Sequence, residues 1–166
     1  MKALILTVLL IGSLSIPGSQ SAASRSEGPQ TKSTLTPADE DDIREAVFRY
    51  QFTHNASGQQ QNAKAYFLSV GKDKDPSDDF MARFKDHKPP VKKRSQATGQ
   101  FEVIDKKTGE RGLIFIASTI NQLDDDKVLV DGGYYEAGLS ASGNTYTVER
   151  KNHKWVVTKD QMRWIS

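Results

Sequence analysis

Apolar side chains recur at helical spacing along residues 38–54. Ile43, Val47, Tyr50 and His54 fall at i, i+4, i+7 and i+11, with Ala46 beside them, and Phe48 and Phe52 form a second stripe. An apolar face this wide predicts a helix packed deeply against a sheet. Thr36-Pro37-Ala38-Asp39 supplies its start: Thr36 caps, Pro37 suits the first helical position, and Asp39 reaches back as in a capping box. The helix should end near residues 55–58, before the polar Gln59-Gln60-Gln61-Asn62 loop. Residues 65–70 are short and aromatic-rich, a strand or a short helix. Asp75-Pro76-Ser77-Asp78 then opens a short helix carrying Phe80, Met81 and Phe84, which must stop before Pro89-Pro90. Residues 91–97 and 101–104 read as strands, and 106–110 as a turn.

The C-terminal third changes period from 3.6 to 2. Residues 113–120 are apolar on both faces at their start, which predicts a central strand. Residues 128–136 alternate, with Val128, Val130 and Tyr134 on one face and Leu129, Asp131 and Tyr135 on the other. Gly132-Gly133 interrupts this strand and marks a bulge, a bend or a close backbone approach. Residues 139–143 read as a turn. Residues 145–150 and 155–165 then form a closing hairpin around Lys151-Asn152-His153-Lys154, with the chain end tied into the sheet near Trp164.

The N-terminal end has neither pattern. Lys2, an apolar run over residues 3–16, the breakers Pro17 and Gly18, and the small residues Ser21 and Ala23 predict an export leader over residues 1–23. The run is shorter than the roughly 20 residues a membrane-spanning helix needs. Residues 24–35 hold almost no apolar side chain and are expected to be a disordered spacer. The folded domain is therefore expected over residues 36–166, outside the cytoplasm and free of the membrane after cleavage.

Composition narrows the chemistry. The formal charge of +2 falls by one with the loss of Lys2, so there is no electrostatic footprint for nucleic acid. With no cysteine there is no disulfide, thiolate metal site or thiol nucleophile. Asp124-Asp125-Asp126 lacks the spaced acids and glycine of a calcium loop. His54, His87 and His153 lack zinc-ligand spacing. No glycine-rich phosphate loop follows a strand. Neither a metal nor a cofactor is expected, and no catalytic motif is legible.

The order of elements (a capped helix, a short aromatic segment, a second short helix, then long antiparallel strands) resembles the NTF2-like superfamily. The closing hairpin, Thr145-Tyr146-Thr147-Val148 and Lys154-Trp155-Val156-Val157 with Trp164, is similar to that of small secreted bacterial members of unassigned function. The resemblance implies an α+β fold: a curved antiparallel sheet covered by N-terminal helices, closing a cone. It also implies a pocket inside the cone, and a homodimer through the opposite face. Tyr50, His54, Tyr66, Phe80, Asp131, Tyr135 and Trp164 are the candidate pocket residues. The expected role is non-catalytic, binding a small apolar ligand or a protein partner. The alternative is an isomerase or cyclase that sets an acid or His, Asp131 or His54, beside a Tyr.

Overall fold

A computed structural model describes residues 33–99 and 101–166. The expected leader, and the spacer as far as residue 32, lie outside the described residues. Ser33, near the end of that spacer, donates its backbone N–H to Asp125 Oδ1 at 2.8 Å and accepts from Gln122 Nε2 at 2.8 Å, and Leu35 packs on the core.

Helix α1 spans Pro37–Thr53. Its start is the expected capping box: Asp39 N–H donates to Thr36 Oγ1 at 3.1 Å, and Thr36 N–H donates to Asp39 Oδ2 at 3.1 Å. These bonds hold the Asp39 carboxyl below its ordinary range, and the Arg150 guanidinium at 2.8 Å acts in the same direction. Strand β1 (Ala65–Ser69) follows, then the five-residue helix α2 (Asp78–Ala82) capped by Ser77, and strand β2 (Val91–Lys93). The expected strand at 91–97 stops early, because residues Arg94–Gln96 turn into a single 3-10 turn. The strand expected at 101–104 is reduced to isolated bridges, Glu102 with Ala137 and Ile104 with Arg111.

Four long strands complete the chain: β3 (Gly112–Asp124), β4 (Lys127–Ala137), β5 (Ser140–Lys151) and β6 (Lys154–Ile165). They form an antiparallel meander through two-residue connections. The last of these, Asn152-His153, has positive φ at both residues, the geometry whose twist suits a tight hairpin. Beyond β6, Ser166 N–H donates to Ala141 C=O at 3.0 Å, so the chain end is tied to the sheet.

The sheet order is β2-β1-β3-β4-β5-β6. This corrects the antiparallel cone: β1 pairs in parallel with both β2 and β3, so the sheet is mixed, and it is open rather than curled or closed. The cause lies in the connections. A chain that leaves β1 through a helix returns to the end it started from, so its next strand runs parallel. The α2 connection crosses one face, and residues 94–111 cross the other before β3 begins. Both faces of β1 are therefore buried.

The main core lies under α1, where Ile43, Val47, Phe48 and Phe52 meet Leu113, Phe115, Val128, Val130, Tyr146 and Val148. A smaller core lies on the opposite face, where Ala97 and Val103 of the 94–111 segment cover Ala65, Phe67 and Ile114. Tyr135 of β4 packs, partly buried, against this smaller core, and over β5 and β6 the opposite face is left uncovered by the described residues. No helix among the described residues is long and apolar enough to cross a membrane.

Candidate functional site

The core stripe of α1 is Ile43, Val47 and then Gln51, at i, i+4 and i+8, with Phe48 and Phe52 alongside. Gln51 is 1% exposed. A neutral amide at such depth must spend its hydrogen bonds inside the protein. Its Nε2 donates to Ile116 C=O at 2.9 Å and to Tyr146 OH at 3.2 Å. Its Oε1 is buried and has no partner among the described residues.

The backbone around this amide is shaped by Gly132 and Gly133. Across from them, β3 spends two residues, Ser118 and Thr119, against the single Asp131 of β4, so the bulge falls on the neighbouring strand rather than on the glycines. Gly132 faces α1: a Cβ there would collide with Ile116 C=O and stand 3.0 Å from Gln51 Nε2. Gly133 has φ +151° and lies against Ser142 and Gly143 of β5.

Past Gln51 the helix ends, and its last turn leaves the sheet face open. The result is a cavity of about 270 Å³. Its walls are Gln51, His54, Asn55 and Ala56 from the helix end, Gly133 and Tyr134 from β4, Ser142, Asn144 and Tyr146 from β5, and Asp160 and Met162 from β6. The side chains of this wall hold one another. Ser142 Oγ donates to Asn144 Oδ1 at 2.8 Å, and Asn144 Nδ2 donates to Asp160 Oδ1 at 2.6 Å. At the rim the Tyr50 and His54 rings stack 4.3 Å apart, and Tyr50 meets Tyr146 edge-on at 5.9 Å. Burial, with the Asp160 carboxylate adding to it, pushes the Tyr146 phenol well above the ordinary tyrosine range and raises that of Tyr50. Both therefore keep their protons near neutral pH.

The seven residues expected to line one pocket are divided among three places. His54 lines the cavity and Tyr50 stacks on it at the rim. Tyr66 and Phe80 are buried in the main core, Tyr66 among Phe52, His87 and Phe115, and Phe80 against Phe48. Asp131, Tyr135 and Trp164 lie on the opposite face, around a separate hollow of about 460 Å³. There Asp131 Oδ1 accepts from Thr145 Oγ1 at 3.0 Å, and the indole of Trp164, 55% exposed, lies on Gly143. Asp131 therefore does not share a pocket with Tyr50 or His54.

Three wall residues carry little signal in the sequence. Gln51 is marked only as the one polar position on the buried helix stripe. Ser142 and Asn144 share parity with Tyr146 and Val148, but residues 139–143 read as a turn, whereas β5 already begins at Ser140. Among the described residues no group of three or more His, Asp or Glu side chains is placed to hold a metal ion. Comparison of the chain with family models, with curated proteins and with solved structures finds no match.

Proposed function

We propose that this domain is a non-catalytic binding module that takes a small polar molecule into the cavity at the C-terminal end of α1. The observation that carries this reading is Gln51: a fully buried amide of the cavity wall, fixed by two hydrogen bonds, whose oxygen has no partner among the described residues. A buried polar atom without a partner costs about 1–3 kcal/mol, and such local inconsistencies belong at functional sites. The cavity, at about 270 Å³, sits below the usual range for drug-sized ligands. Its amides, hydroxyl and carboxylate favour a polar occupant over the apolar one expected from the sequence. The leader expected over residues 1–23 would bring this site outside the cytoplasm, where small solutes are its natural ligands.

One observation favours an enzyme as the second reading. Asp160 and the protonated Tyr146 line the same cavity, and a carboxylate beside a phenol is the pair that proton transfer next to a carbonyl would use.

An NMR screen of small polar fragments tests the first reading. Hits are expected to shift the amides of Tyr134, Asn144 and Tyr146 together. Ala56 sits exposed at the rim, so Ala56→Trp should fill the cavity, abolish those shifts and change stability by no more than about 0.5 kcal/mol. Fragments that bind Ala56→Trp as well as wild type would overturn the reading. Conversion of a bound carbonyl fragment over hours would move the assignment to the enzyme.

A further inference from the structure

We infer that the ligand of this cavity is a small organic cation with N–H donors, a primary ammonium compound. The inference rests on the binding role proposed for the same cavity and follows from which polar groups of its wall are already engaged.

The wall's donors are largely engaged. Both Nε2 hydrogens of Gln51 have acceptors, Ile116 C=O and Tyr146 OH. Asn144 Nδ2 is held by Asp160, and the Ser142 hydroxyl by Asn144 Oδ1. Asn55 Nδ2 donates to Gln51 C=O at 2.7 Å, away from any ligand. The Tyr146 hydroxyl proton is the donor left over.

The unused positions are mainly acceptors. Gln51 Oε1 has no partner among the described residues. Asp160 gives Oδ1 to Asn144, while its second oxygen takes no hydrogen bond and the carboxylate makes no ion pair among the described residues. The wall contains no Lys or Arg. His54 is its one group able to carry positive charge, and its Nδ1 is already within 2.8 Å of Thr53 Oγ1 and 3.2 Å of Tyr50 C=O.

An ammonium group has three N–H donors and no acceptor. It would meet the free Asp160 oxygen as an opposite charge, in a wall that holds no other full charge but the one the His54 ring can carry. A carboxylate or phosphate ligand would meet Asp160 as a like charge. A neutral alcohol brings a single donor.

Three matched probes test this at neutral pH: phenethylammonium, 2-phenylethanol and phenylacetate, each titrated by NMR into wild type and Asp160→Asn. In that variant the side-chain oxygen can still accept from Asn144 Nδ2, and residue 160 lies on the partly exposed edge strand β6, so folding should be kept. In wild type, phenethylammonium should bind at least roughly tenfold more tightly than the alcohol, the difference expected of one charge-assisted hydrogen bond over a neutral one. Phenylacetate should bind most weakly. In Asp160→Asn the preference for the ammonium should vanish while the alcohol binds as before. Equal affinity of ammonium and alcohol in wild type, or a preference that survives in Asp160→Asn, overturns the inference and leaves the cavity as a site for neutral ligands. If none of the three shifts the cavity amides while other fragments do, the cation fails alone. If nothing shifts them, the binding role fails with it.

Discussion

Gly133→Ala is expected to destabilise the protein by roughly 3 kcal/mol or more, combining backbone strain with a steric clash inside the sheet. Gly133 has φ +151°, a conformation that residues with a Cβ rarely adopt. The added Cβ would run into the Ser142 carbonyl oxygen, with Ser142 C at 2.9 Å and Gly143 Cα at 3.2 Å. These are backbone atoms of the central β4–β5 ladder, so no side-chain rotation relieves the contact. Separating the strands would also break the cavity wall, because Gly133, Ser142 and Asn144 all belong to it. Urea unfolding measures the loss. Gly138→Ala is the control: a Cβ added there meets no atom of the described residues within 4 Å. That variant should change stability by no more than about 0.5 kcal/mol. Similar midpoints for the two variants would contradict this account of the β4–β5 contact.

The second large effect is expected at Asp105→Ala, a loss of roughly 2–3 kcal/mol, somewhat below the figure for a fully buried ion pair because Lys92 keeps part of its side chain in solvent. Asp105 is 2% exposed. It forms an ion pair with Lys92 of β2 and accepts the Lys107 N–H at 2.9 Å, which fixes the 94–111 segment over Phe67 and Ile114. Burial by itself would push this carboxyl up. The Lys92 ammonium and the N–H groups of Lys107 and Thr108 outweigh burial and hold it below the ordinary carboxylate range. The sign of the pH effect follows. A carboxyl with a depressed folded-state pKa stabilises fully above its unfolded value of about 3.9 and loses that contribution as pH falls through the lower folded value. Denaturation curves of wild type and Asp105→Ala should therefore differ most above about pH 5 and converge as the pH drops below about 3. A gap that stays constant with pH would mean that the ion pair contributes nothing.

Local signals in this sequence are legible. The Thr36–Asp39 capping box, the two-sided apolarity of Leu113 and Ile114, the hairpin at Asn152-His153 and the interruption at Gly132-Gly133 all depend on neighbours within a few residues. The parallel pairing of β1 is not legible, because it depends on which distant strand Ala65–Ser69 meets, and its apolar pattern suits either direction. That missing pairing is also why a wholly antiparallel cone looks sufficient from the sequence.

The candidate site is less legible than the fold. Aromatic and acidic residues attract attention by type, yet Tyr66 and Phe80 serve the core, and Asp131 and Trp164 project from the other face. Beside Tyr146, His54 and Asp160, the cavity wall includes amides and a small hydroxyl, Gln51, Asn144 and Ser142, which carry no chemical signature in sequence. Their signal is positional: Gln51 follows Ile43 and Val47 on one helix stripe, and Ser142 and Asn144 share a strand face with Tyr146 and Val148.

The most direct test of the cavity as a site for a small cation is a crystal structure of the protein grown with phenethylammonium. The expected result is the ligand nitrogen within about 3 Å of an Asp160 oxygen, with its ring toward Tyr134 and Met162. A ligand bound instead on the open face beside Trp164, or a cavity from which it is absent at saturating concentration, would contradict the account.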